Sequence, residues 1–142
     1  MKLLSILLLV IPPIAYALWN GRNGISHPAR DQVIVVGIIM LVSSFWIGVS
    51  EMSWLMIVKA LAVSYAGYLL FFPPLMNAVR LNKTLKKVHL KWDRYDIIWC
   101  LSHLSDTAIP DKWKLYRAIP WPVRLGVYLA LFVVAVLWFV YE

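Results

Sequence analysis

The chain has 142 residues, of which 62% are hydrophobic and only 15% are charged, and its formal net charge is +7. A soluble domain carries about 25% charged residues, and a globule of this length has too little interior to hide so much apolar side chain. The composition therefore excludes a water-soluble globule and predicts a single membrane domain over residues 1–142. The single cysteine excludes an intramolecular disulfide framework and a zinc site built from several thiolates.

Four apolar runs follow one another along the chain, at residues 3–19, 33–49, 54–72 and 123–141. Each has the length of about 17–25 residues that a helix needs to cross the hydrocarbon core. Each must be helical, because a lone strand or loop in lipid leaves backbone groups unpaired. We therefore predict an all-α, multi-pass integral membrane protein with four transmembrane helices. Only residues 50–53 separate the second run from the third, so these two helices should be adjacent and antiparallel.

The first run also fits a secretory signal, because Lys2 precedes it and the small-residue sequence AYA ends at Ala17. The distribution of charge argues that the run is retained. Residues 77–124 hold ten basic residues and the 20–32 connection holds two more, whereas the opposite side holds Lys2 alone. By the positive-inside rule, both termini lie on the outer side and residues 77–120 lie on the inner, cytoplasmic side. Removal of the first run would reverse this orientation.

Lys59 is an ionisable residue within the third run, which makes proton or ion movement a hypothesis to weigh. A simpler interpretation is favoured. Lys59 lies about 8 Å along the helix axis from Trp54, so its stem can extend to the outer interface, where Glu51 offers a counter-charge. A relay would need a second carboxylate or histidine deep in a run, and the sequence has none.

The inner segment, residues 77–120, is strongly basic. Leu81, Leu85, Val88 and Trp92 recur at spacings of four, three and four, the period of an apolar helical stripe beside a basic one. The pattern predicts one or two amphipathic helices at the membrane interface, with cations among anionic headgroups. The residues expected to bind lipid or a partner are Arg80, Lys83, Lys86, Lys87, Lys91, Arg94, Lys112, Lys114 and Arg117. Cations interleaved with aromatic residues also suit a protein partner or nucleic acid, which the sequence favours less.

Residues 93–106, DRYDIIWCLSHLSD, concentrate side chains that can ligate a metal. On one continuous helix, His89, Asp93, Asp96, Cys100 and His103 would share a face. The favoured interpretation is a capped helix that begins near Arg94, with Asp93 as N-cap and Asp96 in the first turn. His89 would then lie off this helix and Cys100 would be a small buried hydrophobe. A proton-responsive histidine is a third interpretation. We expect no metal and no cofactor.

No nucleophile elbow, phosphate loop or dinucleotide motif occurs in the chain, so we expect no enzymatic activity. Small residues recur at spacings that let membrane helices approach closely: Gly37, Ser44 and Gly48; Ala60, Ser64 and Gly67; Gly126 and Ala130. The leading hypothesis is a structural or accessory membrane subunit that packs with other membrane or assembly proteins, or with itself, and binds anionic lipids. The alternatives are a small, holin-like, pore-forming protein with Ser43, Ser44 and Ser64 facing water, and an intramembrane enzyme or metal-dependent protein.

Overall fold

The computed structural model describes residues 2–23, 30–102 and 119–141. Over these residues the chain forms five α-helices and no strand: α1 (Lys2–Asn23), α2 (Arg30–Ser50), α3 (Trp54–Lys87), α4 (Arg94–Ser102) and α5 (Trp121–Val140). Within the described part of the chain, α1, α3 and α5 are long and apolar enough to cross a membrane. In α2, the apolar stretch with described side chains is the shorter Ile34–Ser50. The all-helical prediction is confirmed, and three of its four spans meet this criterion.

α3 is the central helix, because α1, α2, α4 and α5 all pack against it. α1 runs parallel to α3: Ser64 Oγ donates a hydrogen bond to the Leu9 carbonyl at 3.0 Å, and a Cβ on Gly21 would lie 2.6 Å from Val79 Cβ. Gly21 therefore lets α1 approach α3 so closely that no side chain fits between the two helices.

α2 and α3 form the tight antiparallel hairpin that the sequence predicts. Three residues, 51–53, connect them, and Met52 has a positive φ of 50° that reverses the chain. Gly48 faces Ile57 across the pair without room for a Cβ. The core follows α3 along its length, and its largest fully buried side chains are Phe72 and Phe139.

α3 corrects two sequence-based boundaries. The third span was predicted to end at residue 72, and a separate interfacial helix was predicted over 77–92. The structure instead has one 34-residue helix that continues through Pro73 and Pro74 to Lys87. Proline removes a backbone donor and usually breaks a helix. Here Phe72, Pro73 and Met76 are all buried, so packing on both sides of the two prolines holds the helix together.

The end of α3 divides the predicted apolar stripe into a helical part and a part beyond the helix. His89 has a φ of 56°, its N–H donates to the Lys86 carbonyl, and the Leu90 N–H donates to the Leu85 carbonyl at 3.0 Å. These two bonds around a left-handed residue form a Schellman motif, which terminates a helix. Leu81 and Leu85 are therefore helical, but Val88 and Trp92 lie beyond the helix and cannot continue its stripe.

Candidate lipid- and partner-binding surfaces

The bundle has two chemically different ends. At the hairpin end, which comprises Lys2, residues 51–53 and Tyr141, Lys2 Nζ donates to the Val140 carbonyl at 2.7 Å. At the basic end, which comprises Asn23, residues 80–102 and Trp121, Lys83 Nζ donates to the Arg22 carbonyl at 2.8 Å. Lys2 and Tyr141, at the limits of the described chain, therefore lie at the same end of the bundle.

Lys59 lies at the hairpin end and is buried, with 4% of its surface exposed. Its Nζ donates to the Tyr141 carbonyl at 3.1 Å and lies 5.9 Å from the centre of the Trp138 ring. The stem thus extends toward the predicted end of the bundle, but its contacts are with α5 rather than with Glu51. Lys59 and Lys2 together place two cations on the C-terminal carbonyls of α5, where the helix dipole is negative. Sequence reasoning missed this convergence, since residues 2, 59 and 141 are distant along the chain.

The cations of the basic end begin on the last two turns of α3. Arg80 is half-buried, whereas Lys83, Lys86 and Lys87 are exposed. Lys86 and Lys87 lie in the last turn, where their charge is favourable against the negative end of the α3 dipole. These four residues lie on the extension of α3 rather than on a separate interfacial helix.

Exposed apolar side chains surround these cations after α3 ends. Lys91 and Arg94 are exposed, and the Arg94 guanidinium lies 5.0 Å from the Tyr95 ring centre. Trp92 Nε1 donates to Asn82 Oδ1 at 3.1 Å, which holds the connection against α3. We call the exposed residues Lys83, Lys86, Lys87, Leu90, Lys91, Trp92, Arg94, Tyr95, Ile97 and Ile98 the basic surface. The predicted binding residues Lys112, Lys114 and Arg117 lie outside the described residues.

α4 begins at Arg94 with Asp96 in its first turn, as the capped-helix interpretation predicts. Asp93 precedes the helix, but its Oδ1 accepts from the N–H of Arg94, the first helical residue, and not from the second or third residue as an N-cap side chain usually does. Asp96 Oδ2 accepts from the Asp93 N–H at 2.8 Å, so the third helical residue reaches back to the cap, as in a capping box. Ile97 and Ile98 on this helix are exposed.

The candidate metal ligands are dispersed in the described part of the chain. His89 is exposed in the turn after α3, whereas Cys100 is buried on α4. Among the described residues, no three His, Cys, Asp or Glu side chains come together to hold an ion. The candidate ligand His103 lies outside the described residues. Burial raises the pKa of the Cys100 thiol, and the charge of Asp96 raises this pKa further. A thiol in this environment is protonated at neutral pH and is a poor nucleophile.

The small residues divide into two groups. Ser44, Gly48, Ala60, Ser64 and Gly67 are buried inside the bundle. Gly126 and Ala130 are exposed on α5, and a Cβ on Gly126 would meet no atom within 4 Å. Gly37 has the same open space on α2. The buried serines Ser44 and Ser64 lie between helices of one chain, so neither presents a hydroxyl to water in a single molecule.

Comparisons with known proteins give this chain no relative. No protein-family model matches it, and neither a curated protein nor a solved structure is significantly similar to it. Its function is therefore argued from its surfaces alone.

Proposed function

We propose that this chain is a structural or accessory subunit of a membrane assembly, which holds anionic lipid headgroups at its basic end and partner helices along its open faces. It crosses the bilayer four times, with its termini on the outer side and residues 77–120 on the cytoplasmic side. The observation that carries the proposal is the basic surface, where five exposed cations alternate with exposed Trp, Tyr, Leu and Ile side chains.

The basic surface suits a membrane interface because it offers two kinds of contact at once. Its apolar side chains can enter the acyl boundary while its cations remain among the headgroups. Each cation near an anionic leaflet contributes about 1 kcal/mol, so five can attract such lipids appreciably. Asp93 and Asp96 offset two of these five positive charges, so residues 83–98 keep a formal net charge of +3.

The partner-binding part of the proposal rests on α2 and α5. Much of the apolar surface of these helices is exposed, including Phe45 and Trp46 on α2 and Val134 on α5. Gly126 and Ala130, four residues apart on one face of α5, offer the close approach that membrane helices use for association. A Cβ on Gly126 would meet no atom within 4 Å, so this face of α5 is open to a partner helix.

Extraction of the protein from its own membrane in mild detergent, followed by native mass spectrometry, tests the assembly. A complex of fixed stoichiometry with other membrane proteins is the expected result. A homo-oligomer with no other protein bound would contradict the proposal and favour the pore-forming alternative.

The lipid part is tested with spin-labelled lipids in vesicles of phosphatidylcholine and phosphatidylglycerol. The wild type should bind the anionic label in preference to the zwitterionic one. The combined variant Lys86→Gln/Lys87→Gln/Lys91→Gln should lose most of this preference, because three of five exposed cations are removed. Lys2→Gln, at the hairpin end, is the matched control and should retain it. Equal preference in all three proteins would exclude the basic surface as the lipid contact.

A further inference from the structure

A groove runs along the outside of the bundle between α1 and α2. Pro12, Ala15 and Trp19 line it on α1, and Val35 and Ile39 line it on α2. Its volume is about 580 Å³, within the range of about 300–1,000 Å³ that ligand pockets occupy. The walls are almost entirely apolar. The groove arises because α1 packs more extensively on α3 than on α2, and because Ala15 leaves space where a larger side chain would fill it.

The groove is continued by a cation at the basic end. Arg22 follows Trp19 by three residues, which places the two on the same face of α1. Arg22 is exposed, and Lys83 lies beside it, with Nζ 2.8 Å from the Arg22 carbonyl. Trp19 is half-exposed between the apolar walls and this charge. Tryptophan side chains are enriched at the depth of the lipid headgroups, which suits Trp19 in this position.

We propose that this groove binds one acyl chain of an anionic phospholipid, with the phosphate held by Arg22 and attracted by Lys83. The chain enters between Ala15 and Val35, and the headgroup remains beyond Trp19. A partner helix fits the groove less well. A partner helix would cover the apolar walls but would supply no anion for Arg22, whereas an anionic phospholipid supplies both a chain for the walls and a phosphate for the cation.

The inference rests on the proposed function in one respect, since both require the basic end to lie in an anionic leaflet. The inference goes further because it assigns one lipid to the α1–α2 groove, where the apolar walls hold the acyl chain and Arg22, which is not part of the basic surface, holds the phosphate. The two claims therefore respond to different substitutions.

The test is native mass spectrometry of protein reconstituted with a 3:1 mixture of phosphatidylcholine and phosphatidylglycerol and then extracted in mild detergent. The wild type should retain one phosphatidylglycerol per chain. Ala15→Trp fills the groove and should lower this retention about tenfold. Val127→Trp adds the same side chain at an exposed position on α5, away from the groove, and should leave retention unchanged. Val35→Trp fills the groove from α2 and should repeat the effect of Ala15→Trp.

Arg22→Gln tests the contact with the lipid headgroup separately from the contact with the acyl chain. This variant should still retain a lipid, but its preference for phosphatidylglycerol over phosphatidylcholine should fall about fivefold. Lys86→Gln/Lys87→Gln should leave the single retained lipid in place, although it weakens the preference of the basic surface for anionic lipids. The groove and the basic surface are therefore tested by different variants, and the inference can fail while the proposed function stands. Equal retention in Ala15→Trp and Val127→Trp would overturn the inference. A dimer that Ala15→Trp converts to monomer would also overturn it, because the groove would then bind a second copy.

Discussion

At the residue scale, the position of Lys59 combines burial with charge. Lys59→Glu places a carboxylate against the C-terminal carbonyls of α5, where Nζ now donates to Tyr141. Because a hydrogen bond to a charged group contributes about 1.5–3 kcal/mol, we expect the free energy of unfolding to fall by at least this amount. Denaturant titration in detergent micelles, followed by circular dichroism, measures the loss.

Two variants control this measurement. Lys59→Met removes the charge without reversing it and should cost less than Lys59→Glu. Lys91→Glu makes the same reversal at an exposed residue outside the helices and should change the unfolding free energy little. If Lys91→Glu and Lys59→Glu destabilise the protein equally, the contact of Lys59 with α5 contributes no more to stability than an exposed charge does.

Cys100 provides a second prediction at the residue scale. Because burial and Asp96 raise the pKa of this thiol, little thiolate is present at neutral pH. Reaction with a maleimide should therefore be slow at pH 7 and accelerate as the pH rises toward the raised pKa. Asp96→Asn removes the negative charge, lowers the pKa and should increase the rate several-fold at pH 8.

The matched control for this reaction is Asp93→Asn. It removes a charge of the same sign from the start of the same helix, and an Asn side chain still caps α4. Its labelling rate should stay near that of the wild type. An equal acceleration in both variants would mean that loosening of α4, rather than the charge of Asp96, controls the thiol.

At the element scale, α3 shows where sequence patterns suffice and where they do not. The apolar runs predicted all four long helices, with most boundaries within a few residues. The third apolar run was predicted to end at residue 72, but α3 continues through Pro73 and Pro74, because packing against neighbouring helices offsets the helix-breaking effect of proline. No glycine or asparagine follows α3 to indicate that the helix ends at Lys87; His89 adopts the left-handed conformation instead.

The close approach of α1 and α3 at Gly21 can be tested directly. Gly21→Val would place a Cβ 2.6 Å from Val79 Cβ and 2.9 Å from the Met76 carbonyl. Overpacking of this kind costs about 1–3 kcal/mol, so the variant should unfold at lower denaturant concentration. Gly126→Val is the matched control, since a Cβ there meets nothing within the chain. Equal stability of Gly21→Val and the wild type would contradict this packing.

Gly126 and Ala130 define the corresponding experiment on association. The double variant Gly126→Leu/Ala130→Leu should leave the stability of the isolated chain unchanged while weakening its assembly with partners by about tenfold in the apparent dissociation constant. Quantitative co-purification from the native membrane measures the loss. Ala130→Leu combined with Val134→Leu enlarges the same exposed face but keeps Gly126, so it should retain more of the assembly. Full assembly in the Gly126→Leu/Ala130→Leu variant would mean that partners bind another surface.

At the scale of the whole molecule, the alternating direction of the helices was predicted from the sequence, because consecutive membrane spans must cross the bilayer in opposite directions. The contact between Lys2 and Val140 agrees with that alternation. The α1–α2 groove and the two cations on the end of α5 were not predictable, because they depend on which helices become neighbours. The start of α4 at Arg94, in contrast, is a local feature and was predicted from the sequence.

The orientation of the bundle is the central claim, and one labelling experiment tests it most directly. In a Cys100→Ala background, Met52→Cys places a thiol in the hairpin, where Met52 is 96% exposed, and Lys87→Cys places one on the exposed end of α3. We expect a membrane-impermeant maleimide to label Met52→Cys in intact cells and Lys87→Cys only after the inner face is opened. The reverse pattern would contradict the orientation, and labelling of both in intact cells would contradict a bundle that spans the membrane between them.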